Sequence, residues 1–168
     1  MAAVFEQYKA LNIDGGLISL EQVEEICPYF CYPTNAKAIG FEGCIMYCFI
    51  YGYGETVFAC NPESCADIYV YPLAKNFGDF IRLILACGSA NPVEQIVWMN
   101  KQQFEQHLQS EKEIQTTEQK ELLSLLEREF HIAAMEYPFE YVKKLQSDFD
   151  YSKIQFSNEY YNVLGIER

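Results

Sequence analysis

The sequence predicts an α+β fold: a twisted, mostly antiparallel sheet, built as a central β-meander and packed by N-terminal and C-terminal helices. Three observations predict it. Short runs of β-forming residues, separated by tight-turn signals, are grouped between about residues 38 and 73. Segments with apolar residues at helical spacing follow as a second group. Strands grouped and then helices grouped, in place of strict alternation, mark the α+β class. A chain of 168 residues is long enough for one domain with a sizeable core.

The elements are read in chain order. Gly15-Gly16 breaks the chain, and a helix is expected from Leu20 to about Ile26. Ser19 and Gln22 there have capping-box spacing, and Leu20, Val23 and Ile26 fall on one face. Pro28 and Pro33 forbid its continuation. Cys44 to Tyr51 reads as a strand, Gly52-Tyr53-Gly54-Glu55 as a turn and Thr56 to Cys60 as the returning strand. Asn61-Pro62-Glu63-Ser64 is a second turn, and Asp67 to Tyr71 a third strand ending at Pro72. Along the first strand Cys44, Met46, Cys48 and Ile50 face one way, and Ile45, Tyr47, Phe49 and Tyr51 the other. Both faces are apolar, so the strand is expected to be covered on both sides.

A helix follows on the stripe Phe77, Phe80, Ile81, Ile84 and Leu85, with Asn76 as its cap and Gly88 just past its end. The spacing predicts the next with Asn91 as N-cap, Pro92 at the first position and Glu94 reaching back. Asn100 and Gln103 cap a further helix carrying Phe104 and Leu108. Ser110 to Gln119 reads as a polar loop. Leu122, Leu125, Leu126 and Phe130 mark another helix, and Pro138 starts a last one with Phe139, Val142, Leu145 and Phe149 inward. The tail from Asp150 is aromatic and irregular.

The formal charge is −12, from 24 acidic and 12 basic residues. Phosphate backbones need a basic surface, so nucleic acid is not an expected ligand. Anionic membrane surfaces repel such a chain too. The N-terminal residues lack the basic and apolar regions of a signal peptide, and no apolar stretch approaches the roughly 20 residues of a spanning helix. The seven cysteines are odd in number, show no C-x-x-C spacing and mostly lie in apolar runs. They are expected to be reduced and buried, which favours a cytoplasmic location.

Catalytic patterns are scarce. His107 and His131 have no H-x-x-x-H partner, and neither a nucleophile elbow nor a glycine-rich phosphate loop occurs. Glu21, Glu24 and Glu25 could form a carboxylate cluster, but a solvated charge run is the commoner form of such a group. A reactive thiol at Cys60 or Cys65 is disfavoured by Glu63 and Asp67 nearby. No metal, cofactor or catalytic residue is assigned. An enzyme of small-molecule or thiol type would require a pocket gathering His, Cys and carboxylates.

The acidity is uneven. Residues 1–74 carry nine carboxylates against two bases, Lys9 and Lys37, for a net of −7, while residues 75–168 carry a net of −5. The more one-sided half also holds Tyr47, Tyr51, Tyr53 and Phe58 on or near the hairpin. Aromatic anchors in a negative surface suit a basic protein partner, attracted by long-range steering. The candidate partner-binding residues are therefore Glu21, Glu24, Glu25, Glu42, Tyr51, Tyr53, Glu55, Glu63 and Asp67.

The string Ala36-x-Ala38-Ile39-Gly40-x-Glu42-Gly43, the hairpin, and Asn76-Phe77-x-Asp79-Phe80-Ile81-Arg82 through Gly88 form a recognisable series. It continues with Val93-Glu94-Gln95-Ile96-x-Trp98-Met99, Met135-Glu136-x-Pro138-Phe139-x-Tyr141-Val142 and Glu159-Tyr160-Tyr161. The chain resembles bacterial members of the SUKH superfamily, named in part for the Smi and Knr regulators of yeast glucan synthesis. The likeness covers most of the chain beyond about Leu17. It implies a single domain over 1–168, with 1–16 as an N-terminal extension and 111–168 as a C-terminal helical extension packed on the core. It also implies a non-enzymatic role, with no shared catalytic residues. Many bacterial SUKH proteins are regarded as immunity proteins that neutralise toxins, often nucleases, and the fungal relatives as regulatory interaction proteins. The expected function is thus a protein-binding module of immunity type, acting on a basic, nuclease-like toxin. The alternative is an intracellular regulatory or scaffold protein without a toxin partner. Trp98 reads as a core anchor or as an interface residue.

Overall fold

The computed structural model describes residues 3–168. Four antiparallel strands form one sheet in the order β1 (Ala36–Glu42), β2 (Ile45–Ile50), β3 (Val57–Cys60) and β4 (Val70–Ala74). The helices are α1 (Ala3–Ala10), α2 (Phe77–Cys87), α3 (Ala90–Gln95), α4 (Lys101–Ile114), α5 (Thr117–Phe130), α6 (Pro138–Ser147) and α7 (Asn158–Leu164). The α+β meander with N-terminal and C-terminal helices is the expected class.

The apolar run of β2 explains the layering. Tyr47 and Phe49 point into a core shared with Phe5 and Tyr8 of α1 and with Phe77, Phe80, Ile81 and Ile84 of α2. Met46, Cys48 and Ile50 point into a second core, closed by Tyr32, Phe149, Ile154, Phe156 and Tyr160. A strand buried on both faces needs apolar residues at every position, and β2 has them. The turn between β2 and β3 places Gly52 (φ 103°) and Gly54 (φ 61°) in the left-handed region, as the two glycines foretell.

The second core is tied down by the tail. Thr34 N–H donates to Gln155 O at 2.7 Å, and Asn35 Nδ2 donates to Lys153 O at 3.1 Å. The aromatic residues of the tail therefore cover the sheet, and they include a seventh helix where irregular chain is expected.

Several boundaries differ from the sequence reading, each for a physical reason. No helix forms from Leu20 to Ile26. Ser19, at φ 62°, ends a short 3₁₀ turn over Gly15–Ile18, and the chain then adds itself to the edge of β1. Glu21 exchanges two 2.9 Å backbone hydrogen bonds with Phe41, and Gln22 Nε2 donates to Ile39 O at 2.7 Å instead of capping. Leu20 is fully buried, whereas Val23 and Ile26 are exposed, so no apolar helical face is served. β1 itself carries no clean alternation because it is bulged: Ile39 and Gly40 together oppose Tyr47. Gly40 lies so close to Leu20 that a Cβ would sit 3.0 Å from its backbone.

Strand β4 passes through Pro72 to Ala74. It is an edge strand, where a missing N–H is tolerated, and the Pro72 carbonyl accepts from Gln146 Nε2 of α6 at 3.0 Å. Helix α3 begins at Ala90, so Asn91 and Pro92 lie inside it and Ser89 holds the cap position. Helix α4 extends to Ile114 through the stretch expected to be a loop, because its last turns face solvent and polar residues suit them. The caps at Asn76, Asn100 and Gly88 form as the sequence indicates, with Asn100 and Gln103 completing a reciprocal capping box.

Candidate functional site: an acidic cleft at one end of the sheet

Strand register aligns Gly40, Tyr47, Ala59 and Tyr71 in one row across the face that α2 and α3 cover. Glu42 lies two residues beyond Gly40 on β1, so it stands on the same face at the end of the sheet, opposite Ile45. Helix α3 crosses this end. Asn91 Nδ2 donates to Glu42 Oε1. Asn91 Oδ1 accepts from Gln95 Nε2 at 3.1 Å and faces His107 Nε2 at 3.2 Å. One turn on, Glu94 dips beneath the helix, 1% exposed, and its Oε1 accepts from the Tyr71 hydroxyl and from Asn61 Nδ2.

Of these residues Glu42, Asn61, Asn91, Glu94 and Gln95 line a cleft of about 390 Å³, and Tyr47, Tyr71 and His107 do not. Glu63, from the loop between β3 and β4, and Trp98, from a 3₁₀ turn over Ile96–Trp98, line it as well. Trp98 is 39% exposed, so it is not the core anchor that one reading offers. No lysine or arginine lines the cleft.

The electrostatics are unbalanced. Burial, the largest influence, raises the Glu94 carboxyl above its ordinary value; the bonds from Tyr71 and Asn61 oppose the shift and the Glu42 charge adds to it. The Tyr47 and Tyr71 phenols are also pushed well up, chiefly by burial and then by neighbouring carboxylates. Among the described residues, two buried side-chain oxygens lack a hydrogen-bond partner, Glu42 Oε2 and the Tyr47 hydroxyl. Both belong to this end of the sheet: Tyr47 is fully buried, stands on the face of Glu42 and Tyr71, and feels the Glu42 and Glu94 charges most strongly among its neighbours. Cys44, also on the lining, has its thiol raised by burial and by Glu63, which keeps it from being a ready nucleophile.

The candidate residues read from the sequence are divided by this geometry. Glu42 and Glu63 meet at the cleft. Asp67 is exposed on the same β3–β4 connection, and Glu21 is exposed beside Phe41 at the β1 edge. Glu24 and Glu25 are exposed on the bend that follows and do not line the cleft. Tyr51, 86% exposed, and Glu55 border a different groove at the opposite end of β2. A six-residue strand separates the two ends, about 20 Å. Tyr53 holds the tail: its hydroxyl donates to Asp150 O at 2.8 Å and its ring stacks on Phe149.

No protein-family model, curated protein or solved structure matches the chain. What the cleft can do follows from its own chemistry. It offers acceptors and negative charge, an indole surface, and no cation to neutralise them. Among the described residues no group of His, Cys, Asp and Glu is arranged to hold a metal ion, and no helix is long and apolar enough to cross a membrane. Sequence reasoning passed over Asn91, Glu94 and Tyr71 because their partners are distant in the chain. Asn91-Pro92-Val93-Glu94 also matches a capping pattern, which gave Glu94 a different role.

Proposed function

We propose that the protein is a non-enzymatic binding module whose acidic sheet end receives a basic protein partner, and that it acts in the cytoplasm as an immunity-type protein against a basic, nuclease-like toxin domain. The observation that carries this reading is the cleft at Glu42, Glu63 and Glu94, which gathers carboxylates and an exposed tryptophan without one basic side chain among its lining residues. A surface of this kind draws a cationic partner by long-range attraction and rewards contact with an aromatic anchor. The resemblance to SUKH proteins supports the immunity role. All seven cysteines are free thiols, and Cys48 and Cys60 share a 3.6 Å hydrogen bond in the core.

The test is to mix the purified protein with the basic nuclease-type domains encoded by neighbouring genes. A complex that weakens steeply with added salt, and protection of cells that express the toxin domain, is the expected result. Absence of both would overturn the reading.

A further inference from the structure

The cleft is more selective in shape than a general acidic surface. Glu42 spends one carboxylate oxygen on Asn91 and leaves the other, Oε2, buried and without a donor. The second unpartnered oxygen, the Tyr47 hydroxyl, lies in the field of the same carboxylates. A buried acceptor without a donor is costly, and it marks a place where a donor from outside is rewarded. Glu63, on the loop across the cleft, adds an exposed carboxylate, and Trp98 adds part of an indole face.

Two cationic side chains could answer this demand. An ammonium is a compact, strongly hydrated charge with three donors. A guanidinium is planar, weakly hydrated, stacks on indole and directs five N–H groups in a fixed fork. Separated carboxylates beside an aromatic surface suit the second. Resting on the reading that the cleft receives a basic protein, we propose that it is a guanidinium pocket that takes one arginine side chain of that partner, stacked on Trp98 and donating to Glu42 Oε2 and the Glu63 carboxylate.

Trp98 is the single tryptophan of the chain, so its fluorescence reports on this cleft alone. The probes are two capped tripeptides, Gly-Arg-Gly and Gly-Lys-Gly, titrated against the intact protein at low salt. The arginine peptide is expected to shift Trp98 emission and to bind about tenfold more tightly than the lysine peptide. Glu42→Gln should erase that preference. Glu63→Gln, a change at an exposed position, should reduce it several-fold with the fold intact by circular dichroism, and so covers the case in which the first variant fails to fold. Equal binding of the two peptides, or a preference that both variants leave unchanged, would overturn the pocket. Neither result would bear on whether the protein forms a salt-sensitive complex with a basic domain, so the two proposals fail separately.

Discussion

Glu94 and Tyr71 meet beneath helix α3, where the tyrosine hydroxyl donates to a carboxylate that is 1% exposed. Asn61 supplies a second donor to the same oxygen. The pair binds the helix that carries Asn91 to the sheet end that carries Glu42, so the shape of the cleft depends on it. Glu94→Ala strands the Tyr71 hydroxyl and the Asn61 amide and should cost about 2–4 kcal/mol. Glu94→Gln keeps an acceptor at the same place and removes a charge that burial disfavours; its cost should stay within about 1 kcal/mol. Urea denaturation of the three proteins checks the order.

Stability should also respond to pH through Glu94. Its carboxyl is raised in the folded protein above the ordinary value of 4.5, so the folded state holds this proton more tightly than the unfolded chain. As pH rises from about 4.5 through the folded value, the unfolded state binds fewer protons than the native one, and stability falls. Glu6, Glu140 and Asp150, all solvent-exposed, are shifted downwards and act with the opposite sign. The difference between the wild type and Glu94→Gln isolates the first effect. Relative to the variant, the wild type should lose stability as pH increases through that window, and a flat difference would contradict the assignment.

Tyr47 offers the reverse case. Its ring packs on Phe80, centroids 5.8 Å apart, while its buried hydroxyl has no partner. Tyr47→Phe removes the polar atom and keeps the packing. Stability of the free protein should rise by about 1 kcal/mol, read as a higher melting temperature.

At the far side of the sheet, Tyr53 serves the fold. Its hydroxyl donates to Asp150 O and accepts from Lys153 N–H at 3.0 Å. Tyr53→Phe should cost about 1–2 kcal/mol and speed amide exchange over residues 150–156, with affinity for a basic partner unchanged. Calorimetric titration together with hydrogen exchange separates the two effects.

The meander was legible because its signals are local: β-forming runs, paired glycines at a turn, Asn and Gly at helix ends. The bulged strand β1 was not, since Gly40 and Ile39 share one partner and break the alternation. The expected helix at Leu20 failed to a tertiary pairing, Glu21 with Phe41, that outweighs a weak capping pattern. At the site, Glu42 and Glu63 could be seen as excess charge. Their meeting with Asn91, Glu94 and Trp98 depends on how α3 crosses the sheet, which no local spacing records. Acidic excess puts Glu55, and the aromatic content of the hairpin puts Tyr51, among the candidate residues, although both stand at the other end of β2.

On the proposed function, a basic partner docks at the Glu42 end of the sheet. This docking is tested most directly by calorimetric affinity for such a partner in two double variants, Glu42→Gln with Glu63→Gln at the cleft, and Tyr51→Ala with Glu55→Gln at the opposite end. The cleft variant should bind at least about tenfold more weakly, while the distal variant should bind as the wild type does. Loss of binding in the distal variant, with the cleft variant unaffected, would contradict docking at the cleft.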